Sequence, residues 1–397
     1  MSSVPQVVLK TGKVAPFLGR HPWVLDSAVA RVVGAAADGD EVDLVSDKGQ
    51  WLARGVYNSR SRIRVRLYSW EKGESLDRVF WQRQLESALK LRQTMGYDDP
   101  RGAARIVYSE ADGLSGLIVD RFGPHLVVQP TALATAVRLD LLIDSLVGLV
   151  RPSSVVVRTE ASISRREGLD VEPGPIHGSP PDEPLMIDEH GITFAVQILA
   201  GQKTGFYLDQ RENRRQAARY FHGRRVLDMC CYSGGFALAA ARLGQAVEVI
   251  GVDTSSSAIE LARLNARQNG VTNVRFETGD CFKSLEERLA AGEKYGAVVL
   301  DPPKFSRSRH GVADALRAYH QLNRLAVQLL EPAGVLVTCS CSGSVRREDF
   351  LNMLMGVATK TRRRIQVLEQ RGAAPDHPLN VACPETDYLK CMICRVE

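Results

Sequence analysis

The chain has 397 residues, 44% hydrophobic and 24% charged, the composition of a globular protein long enough for two or three domains. No apolar run approaches the roughly 18 residues of a membrane span, and the N-terminal MSSVPQVVLK lacks the basic-then-apolar layout of a signal peptide. A cytoplasmic protein is expected. The net charge of +5 permits a nucleic-acid partner without requiring one, and the eight cysteines, all in the second half, argue against a disulfide framework.

Residues 1–75 are rich in Val, Gly and short alternating runs, which predicts a small β-rich domain. Within it Arg60, Arg62, Arg64 and Arg66 alternate with Ser61, Ile63, Val65 and Leu67. On a strand that spacing places four guanidiniums on one face, where they can grip phosphate oxygens in pairs. A solvated face is the plain alternative, but four like charges in a row repel one another. Arg20, His21 and Trp23 add candidate backbone and stacking contacts. Residues 76–182 read as α+β, with a helix over Leu76–Met95, strands near Ile106–Tyr108, Gly116–Asp120 and Leu126–Gln129, a helix over Ala132–Val150 and a strand at Val155–Arg158. The Pro- and Gly-dense stretch Val171–Pro184 reads as a linker.

From residue 183 to 397 strands and helices alternate. The apolar runs Arg225–Met229, Val247–Asp253, Val274–Glu277, Ala297–Asp301 and Val335–Thr338 predict a doubly wound, mostly parallel α/β sheet. In such sheets a ligand sits at the carboxyl ends of the strands. The first run closes with Asp228 and opens into Tyr232, Ser233, Gly234, Gly235 and Phe236, a turn whose glycines admit close backbone approach but which lacks a phosphate fingerprint. The second closes with Asp253, placed to accept both ribose hydroxyls; Thr254 and Ser255 can cap the next helix and leave Asp253 to a ligand. The third leads to Asp280, Cys281 and Phe282, an adenine site in which Asp280 could equally be a helix cap. A nucleoside site without phosphate chemistry suits S-adenosylmethionine better than a dinucleotide.

The fourth run ends in Asp301-Pro302-Pro303-Lys304, where the prolines hold the chain extended and aim a carboxylate. The fifth ends in VLVTCSCSG, with Cys341 just past the strand. Cytosine C5 is a poor nucleophile; a thiolate added at C6 makes it reactive, and Cys341 can provide that covalent step. Lys304, or the N-terminus of a helix starting near Ser344, would favour the thiolate, and Asp301 would hold the base. An ordinary small residue in a tight turn is the bland alternative for Cys341. Cys339 reads as packing at the strand end. Cys391 and Cys394 form one CxxC without a second half, and the alternating DYLKCMICRV reads as a terminal strand, so no metal site is expected.

The C-terminal half resembles the class I methyltransferases, whose fold is a seven-stranded sheet with an antiparallel last strand. Gly201–Arg215 resembles the cofactor-covering segment of one group of RNA methyltransferases, which implies cofactor or active-site contacts for Lys203, Tyr207, Asp209, Gln210 and Arg211. HPWVLDSAVARV, WLARGVYNSRSRIRVR, SEADGLSGLIVDRFG, KTGFYLDQR, YSGGF, DPPKF, SCSG and the late DHP together resemble the RlmI/YccW group of ribosomal RNA methyltransferases. That resemblance spans nearly the whole chain. It implies an N-terminal PUA domain (residues 1–75), a middle α+β domain (76–182), a methyltransferase domain (183–397), large-subunit rRNA as partner and 5-methylcytosine as product. A homodimer is a further expectation. Lys304 stands where other RNA cytosine-C5 enzymes place a second cysteine, which leaves open how the C5 proton departs. Two rivals are an amino-directed base methyltransferase using Asp301-Pro302-Pro303 and a non-catalytic RNA-binding module.

Overall fold

The computed structural model describes residues 4–181, 184–199, 201, 204–305 and 311–397; Lys203 lies outside them. The chain forms two compact units. The first comprises Met1–Ile187, Val196–Leu208 and Pro375–Thr386, and the second Asp188–Ala195, Asp209–Ala374 and Asp387–Glu397.

The first unit contains two sheets. Gln6–Leu9, Trp23–Leu25, Val29–Val33, Glu41–Val45, Trp51–Tyr57 and Ile63–Ser69 form a six-stranded sheet with Trp23–Leu25 and Val29–Val33 at its edges. Period-two alternation sends Val42 and Leu44, and Val65 and Leu67, into one core with Val7, Leu9, Phe17 and Val24. The alternation does not yield the four-arginine stripe. The strand starts at Ile63, so Arg60 and Arg62 lie in the exposed bend before it. Arg64 turns back to the carbonyls of Asn58, at 3.3 Å, and Ser59. Arg66 is buried, with its guanidinium 3.0 Å from Glu110 and 3.4 Å from Glu167.

The second sheet of this unit has five strands: Ala103–Tyr108, Leu117–Phe122, His125–Pro130, Ser154–Val157 and Gly174–Gly178. Helices Arg78–Thr94 and Leu139–Val150 pack on it through Phe80, Trp81, Leu85, Leu142 and Leu146. Asp77 caps the first of these by accepting from Phe80 N–H at 3.0 Å. The stretch expected as a linker contains the edge strand Gly174–Gly178, antiparallel to Ser154–Val157. An edge position tolerates Pro175, which has no N–H to give. The returning segment Pro375–Thr386 is built into the unit: Arg105 N–H donates to Asp376 Oδ2 at 3.0 Å, buried Arg92 donates to the Asp376 carbonyl at 2.8 Å, and Tyr108 Oη donates to the Thr386 carbonyl at 3.0 Å.

The second unit is built on seven strands: Arg225–Met229, Glu248–Asp253, Val274–Thr278, Tyr295–Leu300, Leu330–Ser340, Ile365–Arg371 and Lys390–Val396. Their spatial order is third, second, first, fourth, fifth, seventh, sixth, with the seventh antiparallel to both neighbours. This is the topology expected of a class I methyltransferase. The central strands are mostly apolar because helices cover both faces; every residue of Tyr295–Leu300 is buried. Met229 pairs with Val252 and Leu300, and Leu300 with Thr338, so the carboxyl ends of four strands finish level. The sixth strand, unforeseen in the sequence, is a half-buried edge. The helix expected near Ser344 begins at Arg347.

Candidate active site

The level strand ends bring three carboxylates together. Asp228 is fully buried; its Oδ2 accepts from Ala237 N–H at 2.9 Å in the first turn of helix Gly235–Arg242, and its Oδ1 has no hydrogen-bond partner among the described residues. Burial, then the charges of Asp301 and Asp253, push its carboxyl well above the usual range. The turn leading to the helix is strained: Cys230 and Tyr232 have φ of 61° and 49°, and Gly234 has φ 84°. A Cβ on Gly234 would lie 2.9 Å from Phe276 Cζ, so glycine is required there by both conformation and space.

Asp253 organises the second strand end. Its Oδ2 accepts from Tyr232 N–H and its Oδ1 from Ser255 N–H, both at 2.9 Å. Ser255 itself caps helix Ser256–Gln268, accepting from Ala258 N–H at 3.2 Å, while Thr254 is exposed. At the third strand end Asp280 caps helix Cys281–Ala290, accepting from Lys283 N–H at 3.0 Å. One of its oxygens is thereby committed to structure, as the alternative reading held. The thiols of Cys281 and Cys230 are hydrogen-bonded to each other, which lowers Cys281 and raises Cys230. Phe282 is half-buried with its ring centroid 6.2 Å from that of Phe305.

The fourth and fifth strand ends carry the reactive groups. Cys341 is half-buried, and its Sγ lies 3.8 Å from the Pro302 carbonyl oxygen. Asp301 Oδ1 accepts from Gln210 Nε2 at 3.0 Å. Gln210 is itself held by buried Asn213, whose Nδ2 donates to Gln210 Oε1 at 2.7 Å and whose Oδ1 accepts from Arg371 Nε at 3.0 Å. Gln210 therefore orients Asp301 rather than standing free for a ligand. Asp209 is bonded to Tyr388 Oη and its carbonyl accepts from Ala374 N–H at 2.8 Å. Arg211, expected near the cofactor, is buried 3.7 Å from Glu189, a carboxylate it shares with Arg214 at 2.6 Å. Phe236 is buried in the interior. Tyr207 is half-buried in the first unit.

Lys304 is exposed. The buried cation beside Cys341 is Lys390, which sequence reasoning passed over inside a terminal alternating strand. Its Nζ donates to the carbonyls of Ser342 at 2.7 Å and Tyr388 at 2.8 Å, and burial lowers it to about 8. Cys339 is buried in register with Cys391 on the seventh strand. Among the described residues, His21, Cys383 and Glu385 lie close enough together to share an ion. His21 Nδ1 accepts from Trp23 N–H at 3.1 Å, which puts the ring proton on Nε2, 3.3 Å from Glu385 Oε2. A hydrogen bond accounts for that grouping.

The pocket chemistry fits a cationic nucleoside. Three mutually repelling carboxyls and an orphaned Asp228 oxygen would accept an ammonium or sulfonium and would repel a pyrophosphate. Residues 170–384 match the S-adenosylmethionine-dependent methyltransferase family, and residues 7–70 match a PUA-like domain. Over 98% of this chain, and 99% of each relative, the sequence is 39% identical to ribosomal RNA large subunit methyltransferase I of Erwinia tasmaniensis and 38% identical to that of Escherichia coli strain K12. The fold is similar to that of SMU.776, solved in complex with SAH, at a TM-score of 0.86 and 18% identity over 99% of this chain and 100% of that one. It is also similar to Trm5b of Pyrococcus abyssi, at a TM-score of 0.52 and 17% identity over 70% and 74%.

Proposed function

This chain belongs to the ribosomal RNA large subunit methyltransferase I family, and from that premise we propose that it methylates C5 of a cytosine in large-subunit rRNA through a covalent adduct on Cys341. It is a S-adenosylmethionine-dependent methyltransferase. The observation that carries the finer reading is the convergence of the Cys341 sulfur on the Pro302 carbonyl, 3.8 Å away, at the ends of neighbouring strands.

In this reading Cys341 attacks C6 of the base, and the electron pair of the C5–C6 bond makes C5 nucleophilic. S-adenosylmethionine, when bound, supplies the electrophilic methyl group. Asp301, aimed by Gln210, binds the polar edge of the cytosine by accepting from its exocyclic amine. A water molecule then takes the C5 proton; the C5–H electron pair re-forms the C5–C6 double bond and expels Cys341 as the thiolate. Asp253 would hold the ribose of the cofactor, and Asp228 would offset its positive charge. The turn Tyr232–Gly235, with Cys281 and Phe282, walls the nucleoside. Residues 1–75, 76–182 and 183–397 serve as RNA-binding, middle and catalytic domains of a cytoplasmic enzyme. Exposed Arg20, Arg60 and Arg62 are the phosphate contacts best placed for the N-terminal domain.

Incubating wild-type and Cys341→Ala protein with 5-fluorocytosine rRNA and S-adenosylmethionine tests the reading. A covalent complex with wild type alone is expected, because fluorine at C5 blocks the elimination step. Full methyl transfer by Cys341→Ala would replace it with an amino-directed reaction.

A further inference from the structure

The buried cation beside Cys341 comes from a strand that the reaction so far does not use. Lys390 opens the seventh strand, with only 2% of its surface exposed. Its nitrogen has three positions besides the carbon stem. Two are N–H donors to the Ser342 and Tyr388 carbonyls, at 2.7 and 2.8 Å. The third is the position that can gain or lose a proton without breaking either bond. Ser342 follows Cys341 directly, so the first of these bonds also fixes the turn that carries the thiol. Val345 N–H donates to the same Ser342 carbonyl at 3.1 Å, and the Tyr319 and Ser342 hydroxyls lie 3.3 Å apart. The turn is therefore tied to both flanking elements.

We propose that Lys390 is the positioning residue for Cys341, anchoring its turn through the Ser342 carbonyl and stabilising its thiolate with a buried positive charge. The charges around the pair agree with this. Burial lowers the Lys390 amine to about 8; Asp387 and Cys341 pull it upward, and Arg347 and Lys304 push it down. Tyr319 is raised by burial to about 12, with Cys341 and Asp301 raising it further, and so stays neutral at working pH. The consequence of Lys390 for turnover rests on Cys341 being the nucleophile; its effect on the thiol does not.

The test is the pH dependence of Cys341 alkylation by iodoacetamide in the full chain, read by peptide mass spectrometry. Replacing lysine with an uncharged side chain of similar length (Lys390→Met) should raise the alkylation midpoint by about one pH unit, which slows alkylation about tenfold at pH 7. Lys390→Arg should restore most of the rate. Equal midpoints in wild type and Lys390→Met overturn the proposal. If Lys390→Met fails to bind S-adenosylhomocysteine and is therefore misfolded, the reciprocal effect decides. In Cys341→Ser protein carrying 13C-labelled lysine, Lys390 should titrate at lower pH than in wild type, and an unchanged titration overturns the proposal. Adduct formation on 5-fluorocytosine RNA is scored separately. No adduct with a shifted midpoint rejects Cys341 as nucleophile and leaves the Lys390 coupling standing.

Discussion

Arg66 reads in the sequence as one of four phosphate ligands, and in the structure as the cation of a buried network, so the two readings predict different phenotypes for Arg66→Met. Its side chain is 10% exposed and serves Glu110 and Glu167, each 11% exposed, with a further bond of 3.0 Å to Ser115 Oγ. Removing the guanidinium leaves two buried carboxylates without a counter-charge. Breaking one buried pair costs about 3–5 kcal/mol. At roughly 2–4 °C per kcal/mol for a unit of this size, the melting transition of the first unit should fall by on the order of 10 °C. The penalty should depend on pH in a defined direction. Burial raises the Glu110 carboxyl, but Arg66 and the Ser109 and Ser115 hydroxyls outweigh burial and hold it below 4.5. A depressed carboxyl stabilises the fold above its ordinary pKa and loses that contribution as pH falls through the folded value. The gap between wild type and Arg66→Met should therefore narrow below about pH 4.5. Arg62→Ala, at an exposed bend, should leave melting within about 0.5 kcal/mol of wild type and lower the log–log salt slope of RNA binding by ~0.9. An Arg66→Met protein that melts like wild type and instead lowers the salt slope would make Arg66 a phosphate ligand after all.

Gln210→Leu removes a hydrogen bond to the Asp301 carboxylate, worth about 1.5–3 kcal/mol, and should slow single-turnover methyl transfer by ~10- to 100-fold with little change in S-adenosylhomocysteine affinity. Single-turnover kinetics beside calorimetric titration separates these effects. Asp253→Ala strips the acceptor from the Tyr232 and Ser255 N–H groups as well as from a ribose, and should weaken S-adenosylhomocysteine binding at least tenfold by the same titration.

What could be read from the sequence follows burial. The largely buried strands Arg225–Met229 and Tyr295–Leu300 declare themselves because helices cover both faces. Ile365–Arg371 does not, since its half-buried edge position carries Gln366, Glu369, Gln370 and Arg371 and only a short apolar run. Gly174–Gly178 is hidden for a similar reason, its Pro and Gly being acceptable only at an edge. In the site, carboxylates at strand ends are legible because topology alone brings them together. Ion pairs made with residues distant in sequence are not. Arg66 finds Glu167, and Lys390 finds the Ser342 carbonyl, across spans that no local pattern encodes. Asp280 marks a different limit: a helix cap and an adenine acceptor call for the same residue at the same place.

The segment Pro375–Thr386 has a consequence for synthesis. Arg92 and Arg105 acquire their Asp376 partners, and Tyr108 its Thr386 carbonyl, only after a further 270 residues or more of chain have been made. A chain truncated before Pro375 therefore lacks these three hydrogen bonds of the first unit.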